Sequence, residues 1–209
     1  MEYIIPWLRM NFEGDVTHLH ERMLTVPEAA YVTGTNERAV NHEIDAKIMR
    51  AEPSKEGRGV SRADLVYLGA VRDIRDQISP KLRREIREVV GTALSASEAV
   101  AKVASLEVPI AAIEEEILAN FEALERARRE HIESRPEVLA GEPVIRGTRI
   151  AARLVADLLK QGTSPEVIEE EYDLTPEQVR AASIFDRVTP KRGRPRVRKI
   201  AVTQHVPAH

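Results

Sequence analysis

Residues 132–150 read Ile-Glu-Ser-Arg-Pro-Glu-Val-Leu-Ala-Gly-Glu-Pro-Val-Ile-Arg-Gly-Thr-Arg-Ile. Short apolar pairs, Val138-Leu139 and Val144-Ile145, alternate here with glycines and prolines, which mark turns. This spacing predicts a small β-hairpin that leads into a helix.

Three short helices are predicted after this hairpin. The first has an apolar stripe and a terminating glycine, at Val155, Leu158, Leu159 and Gly162. Ser164-Pro165-Glu166 predicts the start of the second helix and Thr175-Pro176-Glu177-Gln178 the start of the third, because a capping residue followed by proline suits a first helical turn. Residues 131–189 are therefore predicted to form a tri-helical, helix-turn-helix-like unit.

This part of the chain resembles a known family. The resemblance is carried by Pro136-Glu137-Val138-Leu139, by the run Gly141-Glu142-Pro143-Val144-Ile145-Arg146-Gly147-Thr148-Arg149-Ile150, and by residues 174–182. These segments resemble the domain-of-unknown-function 433 family over about 55 residues. The resemblance implies a small prokaryotic domain that is frequently the antitoxin of a VapBC-like pair, whose toxin is a PIN-like ribonuclease.

A second helical unit is predicted near the N-terminus. Pro27 and Glu28 suit the first turn of a helix that Gly34 ends, and a second short helix is predicted from Asn36 to Asp45. Two short helices around a glycine turn are typical of a helix-turn-helix. Extended pieces at 48–50 and Val60, on either side of a Gly-containing polar loop, predict a wing.

The capped helix that begins Ser61-Arg62-Ala63-Asp64-Leu65 completes this unit, which resembles the excisionase and MerR-type winged helix-turn-helix over about a quarter of the chain. The resemblance implies that the helix from Asn36 reads DNA. That helix carries Glu37, Glu43 and Asp45 against a single Arg38, and acids near phosphates oppose binding. Dimerisation or the binding of a protein partner therefore remains open for this unit.

The middle of the chain, 79–130, is predicted to be a helical connector. Ser79-Pro80 predicts a helix that runs to Gly91, and residues 102–108 predict one short strand. From Ile110 onward, apolar residues recur at three- and four-residue steps, at Ile113, Ile117, Phe121 and Leu124. Such a helix either packs on its own domain or pairs with a second subunit.

The C-terminal segment is strongly basic. Seven cations and no acid lie between Arg187 and Lys199, and Arg192-Gly193-Arg194-Pro195 resembles the core of an AT-hook. Arginines of this kind enter a narrow A·T minor groove, where the potential is most negative. They would equally suit a carboxylate-lined nuclease cleft. Residues 190–209 are thus predicted to be a flexible basic tail that binds DNA, binds the toxin or only solubilises the chain.

Composition disfavours an enzyme. The 209 residues are 31% charged and only 4% aromatic, which does not favour a deep apolar cofactor pocket. No cysteine is present, and no run approaches the roughly 20 apolar residues of a membrane span. His18 and His20 could begin a metal site, but no cluster of further ligands accompanies them. Residues 141–149 depart from the phosphate-binding Walker pattern, and we expect Arg146 and Arg149 to pair with nearby acids instead. We therefore expect a cytoplasmic protein with no catalytic site, metal, cofactor or membrane contact.

The sequence as a whole predicts a mainly α fold with short β-hairpins, in which two helix-turn-helix-like units are joined by a helical segment. The predicted divisions are an N-terminal arm (1–22), a winged unit (23–78), the connector (79–130), the tri-helical unit (131–189) and the tail (190–209). We expect an antitoxin that works as a homodimer or higher oligomer, neutralises a PIN-like ribonuclease and represses its own operator. The alternative is a transcription regulator without a toxin.

The expected DNA contacts come from both units and the tail. They are Asn36, Arg38, Asn41, His42, Lys55, Arg58, Gln178, Arg180, Lys191, Arg192, Arg194 and Arg196. If the tail instead binds the toxin, the expected contacts are Arg192, Arg194, Arg196 and Arg198.

Overall fold

The computed structural model describes residues 23–54 and 57–189, which are mainly helical with short antiparallel β-hairpins, as predicted. The first half contains β1 (Leu24–Thr25), α1 (Val26–Val32), α2 (Glu37–Asp45), β2 (Glu52–Ser54), β3 (Gly57–Val60), α3 (Arg62–Val71), α4 (Pro80–Ser95), β4 (Ala101–Val103), β5 (Leu106–Val108) and α5 (Ile110–Arg126). The second half contains β6 (Ile132–Glu133), β7 (Val144–Ile145), α6 (Ala152–Lys160), α7 (Pro165–Tyr172) and α8 (Pro176–Val188).

The predicted helix starts are confirmed by their caps. The Thr25 side chain accepts a hydrogen bond from the Glu28 amide, while Glu28 accepts one from the Thr25 amide. Asn36 caps α2 through the Ala39 amide. Gly34, with φ of +66°, makes the left-handed turn between α1 and α2, a conformation that glycine adopts at little cost.

The β2–β3 hairpin lies where a wing was predicted, and we call it the wing hairpin. With β1 it forms a three-stranded antiparallel sheet in the order β1-β3-β2, with Glu52 opposite Gly59 and Leu24 opposite Val60. Its strands lie inside the segment predicted to be a polar loop, so the predicted extended piece at 48–50 is wrong. The amides of Ile48 and Met49 both donate to the Glu43 carbonyl, which continues the turn at the end of α2 and buries both side chains.

Two predictions for the connector are also wrong. Helix α4 passes Gly91 and ends at Ser95, because the buried Ala93 and partly buried Leu94 beyond the glycine pack on the core. Their packing outweighs the roughly 1 kcal/mol that a glycine costs inside a helix. The single strand predicted at 102–108 is instead the hairpin β4–β5, which turns at Ala104 with φ of +51°.

One apolar core runs from Leu24 to Phe121, so the predicted connector shares its core with the N-terminal unit. Helix α5 contributes Ile117 and Phe121 to this core, and its apolar face therefore packs on its own chain. Helices α3 and α5 approach closely at Gly69, where an added Cβ would lie 2.7 Å from the Ile113 Cγ2.

The C-terminal part has its own core beneath β6, β7 and helices α6 to α8, built on Ile145, Val155, Ile168 and Val179. A π-helical turn, Ala127–His131, joins it to α5. A third cluster packs α8 against the end of α5, through Leu124, Ala127, Ala181, Ile184 and Val188, with Tyr31 of α1 beside it.

Candidate nucleic-acid interface

One face of α2 presents a continuous polar stripe. Three polar residues follow Arg38 at distances of three, four and seven positions, so all four share one side of the helix. They are Asn41, His42 and Asp45. Arg38, His42 and Asp45 are exposed and Asn41 is partly exposed, while Ala39 and Val40 on the other side are buried. We call these four residues the α2 stripe.

The wing hairpin is connected to this stripe through Arg58. Its guanidinium donates to the Asn41 Oδ1 at 3.3 Å and to the Asp45 Oδ1 at 3.1 Å. The Asn41 amide nitrogen in turn donates to the Glu37 carbonyl at 2.9 Å. Arg58 therefore offsets the charge of Asp45, one of the acids that argued against DNA binding, and the exposed pair is weak enough to exchange for a phosphate.

Asn36 lies at the start of α2, and its side-chain oxygen is occupied by the Ala39 amide. It is exposed, but its role in capping means that it is not free to read a base edge through that oxygen. The stripe and Arg58 thus gather four of the predicted contacts on one surface, and Asn36 lies at its edge.

A buried carboxylate fixes the orientation of α2. Glu43 lies on the inner face of the helix with no solvent exposure. Its Oε2 accepts a hydrogen bond from the Tyr67 hydroxyl at 2.8 Å, and its Oε1 pairs with Arg83 of α4 and lies 3.7 Å from the Arg75 Nη1. Burial, together with the hydrogen bond to Glu43, raises the pKa of Tyr67, so the phenol remains protonated and donates.

Sequence reasoning placed Glu43 among the acids of the recognition helix and missed this role. One local signal was available: Glu43 lies between Val40 and Ile44, on the apolar side of α2. An acid in that position requires a buried cation, and the two arginines that meet it are more than 30 residues away in the chain.

A second buried acid connects α1 to the π-helical turn between α5 and the C-terminal part. Glu28 of α1 pairs with Arg128 at 2.5 Å, a residue of the π-helical turn. Burial alone would raise the pKa of Glu28, but hydrogen bonds from Thr25 and Arg128 outweigh it and hold the pKa below 4.5. The Arg187 guanidinium of α8 also lies 5.0 Å from the centre of the Tyr31 ring.

The C-terminal unit has fewer exposed side chains that could contact bases. Gln178 accepts from the Thr175 amide at 2.9 Å in the capping box of α8, so its side chain serves the fold. Arg180 is exposed at the start of the helix. The later part of α8 is covered by α5 and α1, and the neighbouring α7 carries Glu166, Glu169, Glu170 and Glu171.

The 141–150 loop is held together by its own polar groups. Arg146 donates to the carbonyls of Arg129, Glu130 and Ile132, which satisfies the end of the π-helical turn, and it also pairs with Glu133 at 3.6 Å. Glu133 accepts from the Gly147 amide at 3.0 Å. The predicted pairing with a nearby acid is therefore confirmed for Arg146. It is wrong for Arg149, which is exposed and has no ion pair within the described residues.

Several predicted contacts fall outside the described residues. They are Lys55, Lys191, Arg192, Arg194, Arg196 and Arg198, together with the predicted arm at 1–22 and its His18 and His20. Across 23–54 and 57–189, no group of three or more acidic or histidine side chains is arranged to hold a metal ion. No helix in those same ranges has the length and hydropathy needed to cross a bilayer.

Comparison with known proteins bears on the C-terminal unit. The profile described as "Protein of unknown function (DUF433)" matches residues 132–185. These residues are a DUF433 domain. The loop held by Arg146 and the three helices α6, α7 and α8 thus make up most of the DUF433 domain, whereas the α2 stripe lies outside it.

One relative with a similar sequence is the uncharacterized protein y4eO of Sinorhizobium fredii (strain NBRC 101917 / NGR234). It is 43% identical over 72 residues, which are 34% of this chain and 33% of that protein, so the match spans about a third of the relative's length. The crystal structure of Rv2018 from Mycobacterium tuberculosis covers 76% of this chain and 95% of its own, at 12% identity and a TM-score of 0.30. Neither similarity carries an argument about function.

Proposed function

We propose that the protein is a cytoplasmic, dimeric antitoxin that binds DNA through its N-terminal unit and neutralises a ribonuclease toxin. The observation that carries the DNA-binding part is the link between the wing and the α2 stripe. Arg58 bonds to Asn41 and Asp45, so wing and helix present a single polar surface. A helix with an adjacent hairpin is the kind of element with which winged proteins contact DNA, and a helix can enter the major groove.

The arrangement supports the resemblance to winged helix-turn-helix proteins. Helices α1 and α2 meet at the Gly34 turn, and the β2–β3 hairpin follows α2 directly. Glu43 anchors the inner side of α2 to α3 and α4, so the helix is rigidly held while its outer side is open. Rigid support of this kind is what a base-reading helix needs.

The net negative charge of the chain, formally -3 at pH 7, does not oppose this proposal. Of its 31 lysines and arginines, six lie in residues 190–209, and none of its 34 acids does. A tail of this composition supplies sequence-independent attraction to phosphates, while the α2 stripe supplies base contacts. The two parts have separate roles in binding.

The DNA-binding proposal is tested by fluorescence anisotropy on a duplex taken from immediately upstream of the gene. Arg38→Ala removes an exposed guanidinium from the α2 stripe, and Arg84→Ala removes one from the exposed side of α4. We expect Arg38→Ala to weaken binding by about 1–3 kcal/mol on this duplex and much less on random DNA, because a base contact is lost. Equal weakening by the two variants on both duplexes would refute base reading by α2.

The antitoxin part depends on the resemblance of the DUF433 domain to antitoxins of VapBC-like pairs. Its test is whether a small PIN-like protein, encoded beside this gene, forms a complex with the chain when both are expressed together. Stable co-purification with loss of ribonuclease activity supports the antitoxin. DNA binding without such a partner favours the second candidate, a transcription regulator without a toxin, since the α2 stripe requires no partner protein.

A further inference from the structure

Two arginines on α8 have no charged partner in the described parts of the chain. Arg180 and Arg187 are exposed, and neither forms a hydrogen bond or an ion pair with any other described residue. They are seven residues apart, which is about two helical turns, so both lie along one edge of α8 roughly 10 Å from each other. The adjacent Asp186 does not neutralise them, because its carboxylate is turned toward α6 and pairs with Lys160.

The phenol ring of Tyr31 lies beside this edge of α8. The Arg187 guanidinium is 5.0 Å from the centre of the ring, within the range of a cation–π contact. Ile184, which lies one turn from each arginine, belongs to the buried cluster on which Tyr31 packs. The edge that carries both arginines therefore meets α1 at Tyr31. The Tyr31 hydroxyl itself forms no hydrogen bond with a described residue.

Both arginines act electrostatically on the same phenol. Partial burial raises the pKa of Tyr31, and the charges of Arg187 and Arg180 lower it only in part. The hydroxyl therefore keeps its proton at neutral pH and is able to donate a hydrogen bond. The junction of α1 and α8 thus presents two positive charges and a neutral donor to one region of the surface.

We propose that Arg180, Tyr31 and Arg187 form a contact site for the phosphate backbone of duplex DNA. This inference rests on the proposed function, in which the N-terminal unit binds the duplex. Guanidinium groups bind phosphate in bidentate geometry, and tyrosine hydroxyls donate to phosphate oxygens. Contacts of this kind position a protein on DNA without reading its sequence.

The position of the site connects it with the other proposed DNA-binding parts. Tyr31 belongs to α1, and its carbonyl accepts a hydrogen bond from the amide of Gly34, in the turn that leads to α2. Arg187 lies four residues before Lys191, the first cation of the basic tail. The site therefore lies close both to the start of α2 and to the start of the tail, and we expect one duplex to contact all three.

Glu177 is an exposed acid that opposes phosphate binding here. It lies three residues before Arg180, in the first turn of α8, so the two side chains are neighbours on the helix surface. No ion pair joins them, and the attraction between two exposed side chains is weak, so a phosphate competes for Arg180. Two further acids, Glu28 and Glu125, both pair with Arg128.

The test is the salt dependence of DNA binding by the full chain, measured by fluorescence anisotropy on the upstream duplex and on a duplex of random sequence. Arg180→Gln combined with Arg187→Gln removes both charges of the site. Lys81→Gln combined with Arg84→Gln removes two exposed charges of α4 and is the matched control. We expect the first pair to make the slope of log affinity against log salt shallower by about 2 on both duplexes, because two phosphate contacts are lost. The control pair should keep the wild-type slope.

Two single variants test the geometry of the site. Tyr31→Phe removes only the hydroxyl, and we expect it to weaken binding to both duplexes equally, by roughly twofold to tenfold. Glu177→Gln removes the opposing charge and should strengthen binding to both duplexes, by up to about fivefold. Glu115→Gln, an exposed glutamate on α5, is the control and should leave the affinity unchanged.

Urea unfolding shows whether each variant is folded, and a folded Arg180 and Arg187 double variant with the slope of the control would overturn the inference while DNA binding stands. Weakening confined to the upstream duplex would overturn it as well, since phosphate contacts are independent of sequence. If the double variant binds DNA normally but loses the PIN-like protein, the arginines serve that protein and the inference is wrong. If the double variant does not fold, Glu177→Gln decides, and no gain over Glu115→Gln would refute the site. A wild-type chain that binds neither duplex would end both proposals.

Discussion

Replacing Glu43 by glutamine should destabilise the protein strongly, although the change removes only one charge. The carboxylate is fully buried and is the shared partner of Arg83 and the Tyr67 hydroxyl. The Arg83 side chain is only 8% exposed, so it cannot turn to water when its partner is neutralised. The variant therefore leaves a buried guanidinium whose charge is uncompensated.

The expected loss can be estimated from this geometry. Removing one partner of a buried ion pair costs about 3–5 kcal/mol, because the other charge stays desolvated. Domains of ordinary size unfold with a free energy of roughly 5–15 kcal/mol. Glu43→Gln should therefore lose roughly a fifth or more of the total stability. Tyr67→Phe, which removes one hydrogen bond, should lose about 1 kcal/mol.

The measurement is urea unfolding at neutral pH followed by far-ultraviolet circular dichroism. Glu115→Gln, an exposed glutamate on α5, is the matched control for the loss of one negative charge. A double variant, Glu43→Gln with Arg83→Met, should be less destabilised than the sum of the single variants, because the unpaired charge is gone. The reasoning is refuted if Glu43→Gln and Glu115→Gln differ by less than about 0.5 kcal/mol.

Three further predictions concern the rest of the fold. Because the pKa of Glu28 is lowered in the folded protein, its stabilising contribution is present above pH 4.5 and is lost as the pH falls through the folded pKa. Urea midpoints measured between pH 6 and 3 should show this loss of stability. The loss should be smaller in Arg128→Met, which lacks the ion pair. Gly69→Ala should cost about 1–3 kcal/mol in urea unfolding, since the new Cβ meets Ile113 at 2.7 Å, and a loss near zero would show that α3 and α5 separate easily. Thr175→Ala should cost about 1 kcal/mol in urea unfolding, because the α8 amide of Gln178 loses the Thr175 hydroxyl. A loss near zero would contradict the capping role of Thr175.

The parts of the fold that the sequence predicted are those with local causes. A capping side chain bonds to an amide three residues away, so Ser61, Ser79, Ser164 and Thr175 marked their helix starts correctly. Features that depend on distant partners were missed. Gly91 is a plausible helix end until the core contact of Ala93 is known.

In the candidate site, too, local features were predicted from the sequence and features that depend on distant residues were not. The spacing of the α2 stripe is visible in the sequence, but the bond from Arg58 to Asp45 depends on the register of the wing. Gln178 has the composition of a base-reading residue, and only the capping geometry assigns it to the fold. The unused guanidinium of Arg149 was likewise hidden, because its sequence neighbour Arg146 has the same residue type and a different role.

The most direct test of the account is the salt dependence of DNA binding. The affinity of the full chain for upstream duplex DNA is measured over a range of salt concentrations and compared with that of a chain ending at Thr189, where α8 is already complete. Six cations are removed with the tail, and each phosphate contact contributes about 0.9 to the slope of log affinity against log salt, so the slope should become shallower by up to about 5. An unchanged slope would contradict the claim that this acidic chain holds DNA through its basic tail.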